Sequence, residues 1–256
     1  MTSAARYVEF APRPQHAAAV ACAWMRTQHP EDPPTLVLPD ACFDFIWSPG
    51  NEVMLAAPDT RAVRVPAADA DTFVGVRFRP GVGKAVLGIP LSELLDGRIT
   101  ASEIVAERVP GPVRRIASDL LAKAGQVERP DEALRVLTSL GEFLAGAATI
   151  DRATVAASNR LAEPRRSCRS LAMELGISER QLNRRMNDEV GYGPKMLQRV
   201  LRLQGFLARA NESRDRSARP SLTELAVESG YADQAHLNRE CADLAGLTPT
   251  ALLAAR

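Results

Sequence analysis

The chain has 256 residues, 46% of them hydrophobic and 25% charged, with a net charge of +1. That is enough chain for two domains with cores of their own, and the composition excludes disordered, collagen-like and disulfide-framework classes. The small net charge names no partner, but its distribution is uneven: residues 151–256 hold 17 Lys and Arg against 13 Asp and Glu, while residues 1–150 hold 15 against 18.

The opening residues, MTSAARYVEFAPRPQ, show no basic start followed by an apolar core, so no secretory leader is expected. No apolar run reaches the ~18 residues of a membrane span. The expectation is a cytoplasmic, nucleoid-associated protein with no membrane partner. Cysteines at 22, 42, 168 and 241 lack CxxC spacing, which fits a reducing compartment better than a zinc knuckle. His16, His29 and His236 form no HxH or HExxH pattern, and a metal site built from His16, Cys22 and Cys42 is the lesser alternative. Neither a metal nor a cofactor is expected.

Residues 35–80 read as strands broken by turns. In CFDFIW, Phe43, Phe45 and Trp47 alternate onto one face. RAVRV (61–65) alternates too. In TFVGVRFRP, Val74, Val76 and Phe78 share one side, and Arg77 and Arg79 take the other. Turn signals lie at Pro39-Asp40, Ser48-Pro49-Gly50-Asn51 and Pro58-Asp59. After Pro80 the pattern turns helical, through GVGKAVLGI and LSELL and then over roughly 112–125 and 131–146. Eight of the twelve aromatics precede residue 80, a density that suits a ligand pocket and equally an ordinary core. Phe43, Phe45, Trp47 and Arg77 are the candidate effector-pocket residues. Arg77 would hold an anion or simply face water. GAAT (146–149) reads as a linker, dividing the chain into 1–148 and 149–256.

The second half contains a repeat. A helix over roughly 152–163 precedes it. LAMELGISERQLNRRMNDEVGYGP (171–194) aligns with LAVESGYADQAHLNRECADLAGLTP (225–249), so that Leu171, Ala172, Glu174 and Gly176 match Leu225, Ala226, Glu228 and Gly230. After one inserted residue, Leu182, Asn183, Arg184, Gly191 and Pro194 match Leu237, Asn238, Arg239, Gly246 and Pro249. Each copy reads as helix, Gly turn, capped helix, Gly stop, which is the helix-turn-helix layout. The units are expected at 170–191, starting at Ser170, and at 221–246.

Ser178 with Gln181, and Ser221 with Glu224, fit capping boxes, and Asp233 fits an N-cap. Leu182, Met186 and Val190 form one inward stripe, and Leu237, Cys241 and Leu244 the other. Arg180, Asn183, Arg184 and Asn187 then face outward in the first copy, and Gln234, Asn238 and Arg239 in the second. Such a face is either merely solvated or a contact surface, and recurrence of Arg184 as Arg239 favours contact. Between the copies, PKMLQRVLRLQGFLARAN (194–211) reads as one helix of about 17 residues, a rod of roughly 26 Å. ESRDRSAR (212–219) reads as a polar loop and TPTALLAA (248–255) as a last helix, for seven helices in all.

The stretches LAMELGISERQLNRRM, GYGPKMLQRVLRLQGFLAR and LAVESGYADQAHLNRECADLAGLTPTALL resemble the DNA-binding domain of the AraC/XylS family of bacterial transcription regulators, over about 165–255. The resemblance implies that both second helices dock in neighbouring major grooves. Carried over residue by residue, the DNA-contacting set is Arg180, Asn183, Arg184, Arg185, Gln234, His236, Asn238 and Arg239. Met186 and Cys241 stand where the family usually has Phe, which predicts looser packing around the smaller Cys241. PDACFDFIW and VRFRPGVGKAVLGIPLSEL are similar to N-terminal segments of a subset of these regulators. That likeness implies an effector-sensing or dimerising domain.

The fold expected is α+β: a small antiparallel, barrel-like β unit with helices, then an all-α seven-helix domain. The function expected is sequence-specific regulation of transcription. Its partners would be double-stranded promoter DNA, a small-molecule effector, a second copy of the chain, and RNA polymerase if it activates. The alternatives are a front half that senses a protein partner, and a DNA-tethered barrel enzyme. The second alternative lacks a metal pair, a GxSxG elbow or a nucleophilic cysteine motif, so the chain is not expected to be an enzyme.

Overall fold

The computed structural model describes residues 6–66, 72–163, 166–213 and 220–255. The strands are β1 (Arg6–Phe10), β2 (Val20–Thr27), β3 (Thr35–Val37), β4 (Phe43–Trp47), β5 (Met54–Ala56), β6 (Val63–Val65), β7 (Thr72–Phe78) and β8 (Arg98–Thr100). Six of them pair antiparallel in the order β1-β2-β7-β4-β5-β8. β3 and β6 form a separate two-stranded ribbon. The large sheet is open, with β1 and β8 as its edges.

The alternation in FDFIW and FVGVRF is realised as read. Phe43, Phe45, Trp47, Val74, Val76 and Phe78 are all at most 1% exposed. Phe43 stacks on Phe78 with centroids 4.6 Å apart, and Phe45 meets Phe78 edge-on at 6.0 Å. The RAVRV stretch pairs only over 63–65, in the ribbon and not in the sheet. β1 and β2 lie before the stretch expected to hold strands. In β2, Val20, Cys22, Ala23 and Trp24 are all buried, so residues on both faces are covered and no two-residue period is left to read.

Helices α1 (Gly83–Leu87), α2 (Ala101–Arg108), α3 (Gly111–Gly125) and α4 (Pro130–Ala147) complete the first half, with short 3₁₀ turns at Pro14–His16 and Leu91–Glu93. α4 supplies Val136, Leu137, Leu140 and Leu144 to the core against the sheet. Gly141 permits that approach, since a Cβ there would stand 2.5 Å from Val76 Cγ2.

The second half is α5 (Arg152–Arg160), α6 (Cys168–Glu174), α7 (Glu179–Val190), α8 (Pro194–Glu212), α9 (Leu222–Glu228), α10 (Gln234–Ala245) and α11 (Pro249–Ala254). These are the seven helices the repeat implied. α6 starts before Ser170, because Ser167 is its cap and accepts from Ser170 N. The inward stripes are as read. Leu182, Met186 and Val190 join Leu171, Ala172 and Leu197 in one core, and Leu237, Cys241 and Leu244 join Phe206, Leu225 and Tyr231 in another. Cys241 is 0% exposed, in the core that also holds Phe206 and Tyr231. Most of the expected polar loop, 214–219, lies outside the described residues. Among the described residues no single helix is long and apolar enough to cross a membrane.

Candidate nucleic-acid interface

α7 and α10 are built alike from the sequence upward. Ser178 Oγ accepts from Gln181 N, and Gln181 Oε1 accepts from Ser178 N, closing the capping box. Asp233 Oδ1 accepts from His236 N at the start of α10. Gly191 (φ 97°) and Gly246 (φ 67°) end the two helices in the left-handed region, which a side chain would strain. The helix preceding each is held the same way, α9 by a second capping box between Ser221 and Glu224.

The structure brings the expected contact residues onto the outer faces of these two helices, with differing freedom. Arg180, Asn183 and Arg184 are exposed, and so are Asn238 and Arg239. Among the described residues, none of the three arginines has an ion-pair partner. Arg185 is half-buried and lies 3.5 Å from Asp151 Oδ2, which gives it work inside the molecule. Gln234 Oε1 accepts from the Thr223 hydroxyl at 2.9 Å. His236 Nδ1 accepts from Ala232 N at 3.3 Å, and its ring stands edge-on to Tyr231. With Nδ1 accepting, the neutral ring carries its proton on Nε2, a donor facing away from that bond.

Two cations of the connecting helix α8 are used internally. Arg199 bonds Glu240 at 2.7 Å and Asp243 at 3.0 Å, tying α8 to α10. The Arg202 guanidinium lies 5.3 Å from the centroid of the Tyr231 ring. Among the described residues, Arg180, Arg184 and Arg239 thus leave unpaired positive charge on the outer faces of α7 and α10, where a polyanion would meet it.

The residues picked out for an effector pocket are placed differently. Phe43, Phe45 and Trp47 are core, in the cluster that α4 joins, and line neither of two surface clefts. Arg77 is neutralised by Asp40 at 3.3 Å and Asp44 at 3.0 Å. Burial raises the Asp44 carboxyl above its ordinary range, and Arg77 opposes that. One cleft, of about 430 Å³, is lined by Arg13, His16, Ser139, Glu142, Phe143 and neighbours. The other, of about 290 Å³, lies between Thr60 and Arg61 and the residues Met196, Arg199, Asp243 and Leu244. Among the described residues no group of three or more His, Cys, Asp or Glu is placed to hold a metal ion.

Residues the sequence reading missed are those that join the two halves. Lys84 Nζ donates to Asp188, Ala85 N to Glu189, Ala62 N to Leu244 O, and Gln204 Nε2 to Pro39 O. The two close-set glycines of PGVGK were the available signal, since both sit where a Cβ would collide with another element.

Residues 171–255 match the family model of a helix-turn-helix domain, and residues 8–100 that of a domain of unknown function, DUF6597. No curated protein matches the chain. Among solved structures it is similar to ToxT from Vibrio cholerae O395, at 11% identity over 98% of this chain and 96% of that one, with a TM-score of 0.44. It is similar also to ToxT from the same strain bound to (E)-4-(8-methylnaphthalen-1-yl)but-3-enoic acid, at 9% identity over 97% and 98% of the two chains, with a TM-score of 0.46.

Proposed function

We propose that this chain is a DNA-binding transcription regulator of the AraC family, a reading that the helix-turn-helix match over residues 171–255 supports, that α7 and α10 are its reading helices and that residues 1–148 tune what they read. The observation that carries this is the recurrence of an exposed, unpaired arginine at the same place in both capped helices, Arg184 and Arg239. An arginine can pair bidentately with guanine O6 and N7, and an amide such as Asn183 or Asn238 with adenine. Arg180 joins them on the same outer face. Arg185, Gln234 and His236 are already engaged within the protein, so they suit orienting or phosphate contacts more than base reading.

Residues 149–256 then form the DNA-binding domain and 1–148 the modulating domain, the boundary falling between α4 and α5. The modulator would act through a small-molecule effector, through pairing with a second copy, or both. The cleft beside Arg13, His16 and Glu142 supports an effector site better than the buried aromatics do. If the regulator activates, RNA polymerase is a further partner. Selection of duplexes from a random DNA pool by the full chain, followed by gel-shift titration of Arg184→Ala and Arg239→Ala, tests the reading. Unchanged affinity and unchanged base preference in both variants would refute it.

A further inference from the structure

Both reading helices are held at their C-terminal ends, and the holder in each case is the first half of the chain. At α7, Asp188 Oδ2 accepts from Lys84 Nζ at 2.8 Å, and Glu189 Oε2 accepts from Ala85 N at 3.1 Å. α1 has Val82 at its cap position and no side-chain cap of its own, so Glu189 supplies, from the other half of the chain, an acceptor for the open N–H groups of its first turn. The approach is close. A Cβ on Gly83 would stand 3.0 Å from Glu189 O and 2.1 Å from Leu91 Cδ1. One on Gly81 would stand 2.9 Å from Ser158 Oγ in α5.

At α10 the last-turn carbonyl of Leu244 accepts from Ala62 N at 2.7 Å, which satisfies an acceptor that a helix end leaves open. Leu36, Leu38 and Ala62, from the β3–β6 ribbon and its flanks, pack on the same core as α10. Between the two contacts, Gln204 of α8 donates to Pro39 O at 2.7 Å.

The other ends of the helices are open. In helix-turn-helix docking the N-terminal residues of the recognition helix meet the base edges, and Arg180, Asn183, Asn238 and Arg239 are exposed. The contacts therefore cannot act by covering the reading ends. We propose that the N-terminal domain is a gauge: it grips both reading helices at the ends away from DNA and sets the spacing of the two base patches they read. Glu189 and Lys84 are positioning residues in this scheme, and the β3–β6 ribbon is the second jaw. The proposal rests on α7 and α10 being the reading helices.

The test uses the full chain and two variants, Lys84→Ala with Glu189→Ala, and Gly83→Ala, each checked for retained helix content by circular dichroism. Nitroxide-bearing side chains placed at exposed Glu179 and Ala235 report the distance between the helices in the absence of DNA. A narrow distribution in the parent that broadens or shifts in both variants is expected. In parallel, a duplex selected from a random pool by the parent is lengthened or shortened by one base pair between its two contacted patches. The parent should lose about tenfold or more in affinity on that change, and the variants should lose distinctly less. An unchanged distance distribution in both variants overturns the gauge and leaves α8 alone as the brace. A spacing profile identical in parent and variants overturns it too. Should the parent select no duplex at all, the reading of α7 and α10 fails, and the distance measurement decides the gauge by itself.

Discussion

The indole Nε1 of Trp24 donates to Asp44 Oδ1 at 2.8 Å, reaching across β7 from β2 to β4. It can do so because Gly75 lies beneath the ring: a Cβ there would stand 2.3 Å from Trp24 Cε2. Gly75→Ala therefore forces the indole aside and should destabilise the chain by about 1–3 kcal/mol. Trp24→Phe keeps most of the packing but removes the donor from a buried carboxylate, at a cost of about 1–3 kcal/mol. Urea unfolding followed by circular dichroism checks both, and midpoints equal to the parent's would mean that the indole is not held there.

Arg184→Ala and Arg239→Ala should each cost about 1–3 kcal/mol in binding to a selected duplex and relax preference at one base position. Arg199→Ala should behave otherwise. It breaks the bonds to Glu240 and Asp243 and leaves Glu240, only 8% exposed, without its cation. Stability should fall while base preference stays as it was. Parallel melting and gel-shift titrations separate the two effects.

Glu142 predicts a specific acid sensitivity. Its carboxylate accepts from Arg13 Nε at 2.6 Å and from Arg13 N at 3.2 Å, and these hydrogen bonds hold its pKa below the ordinary carboxylate value. A group with a depressed folded-state pKa contributes stability that is present above its unfolded value, about 4.3, and is lost as pH falls through the folded value. Glu142→Gln should lower stability at neutral pH and flatten its decline below about pH 4.3. Melting temperatures measured from neutral pH downward decide this, and parallel curves for parent and variant would remove Glu142 as a contributor.

Cys241 is fully buried in the core that also holds Phe206, Tyr231, Leu237 and Leu244. Cys241→Phe, which restores the side chain usual in the resembling family, should overfill it and cost about 1–3 kcal/mol. A rise in melting temperature would mean instead that the second unit has room to spare.

Much of the second half was legible because its signals are local. A capping box spans four residues, a Gly stop is one residue, and the Leu182-Met186-Val190 stripe spans nine. Each acts within a turn or two of helix, so the order of residues carries it. The repeat added a check, since two copies had to satisfy the same pattern. In the first half, FDFIW and FVGVRF were legible for the same reason. β2 was not, because residues on both its faces are covered and its pattern resembles any apolar run.

The sequence by itself determined the two helix-turn-helix units, the caps of α7, α9 and α10 and which faces turn outward, because spacing along a helix fixes which side chains share a face. Only the tertiary structure decided that Phe43, Phe45 and Trp47 are core, that Arg77 is already paired, and that Lys84, Glu189, Ala62 and Leu244 join the two halves. Those contacts link residues about 100 positions or more apart, between Lys84 and Asp188 or Ala62 and Leu244. No period or cap marks such a pair along the chain. It exists only once two separately folded surfaces bring a donor within reach of an acceptor that a helix end had left open.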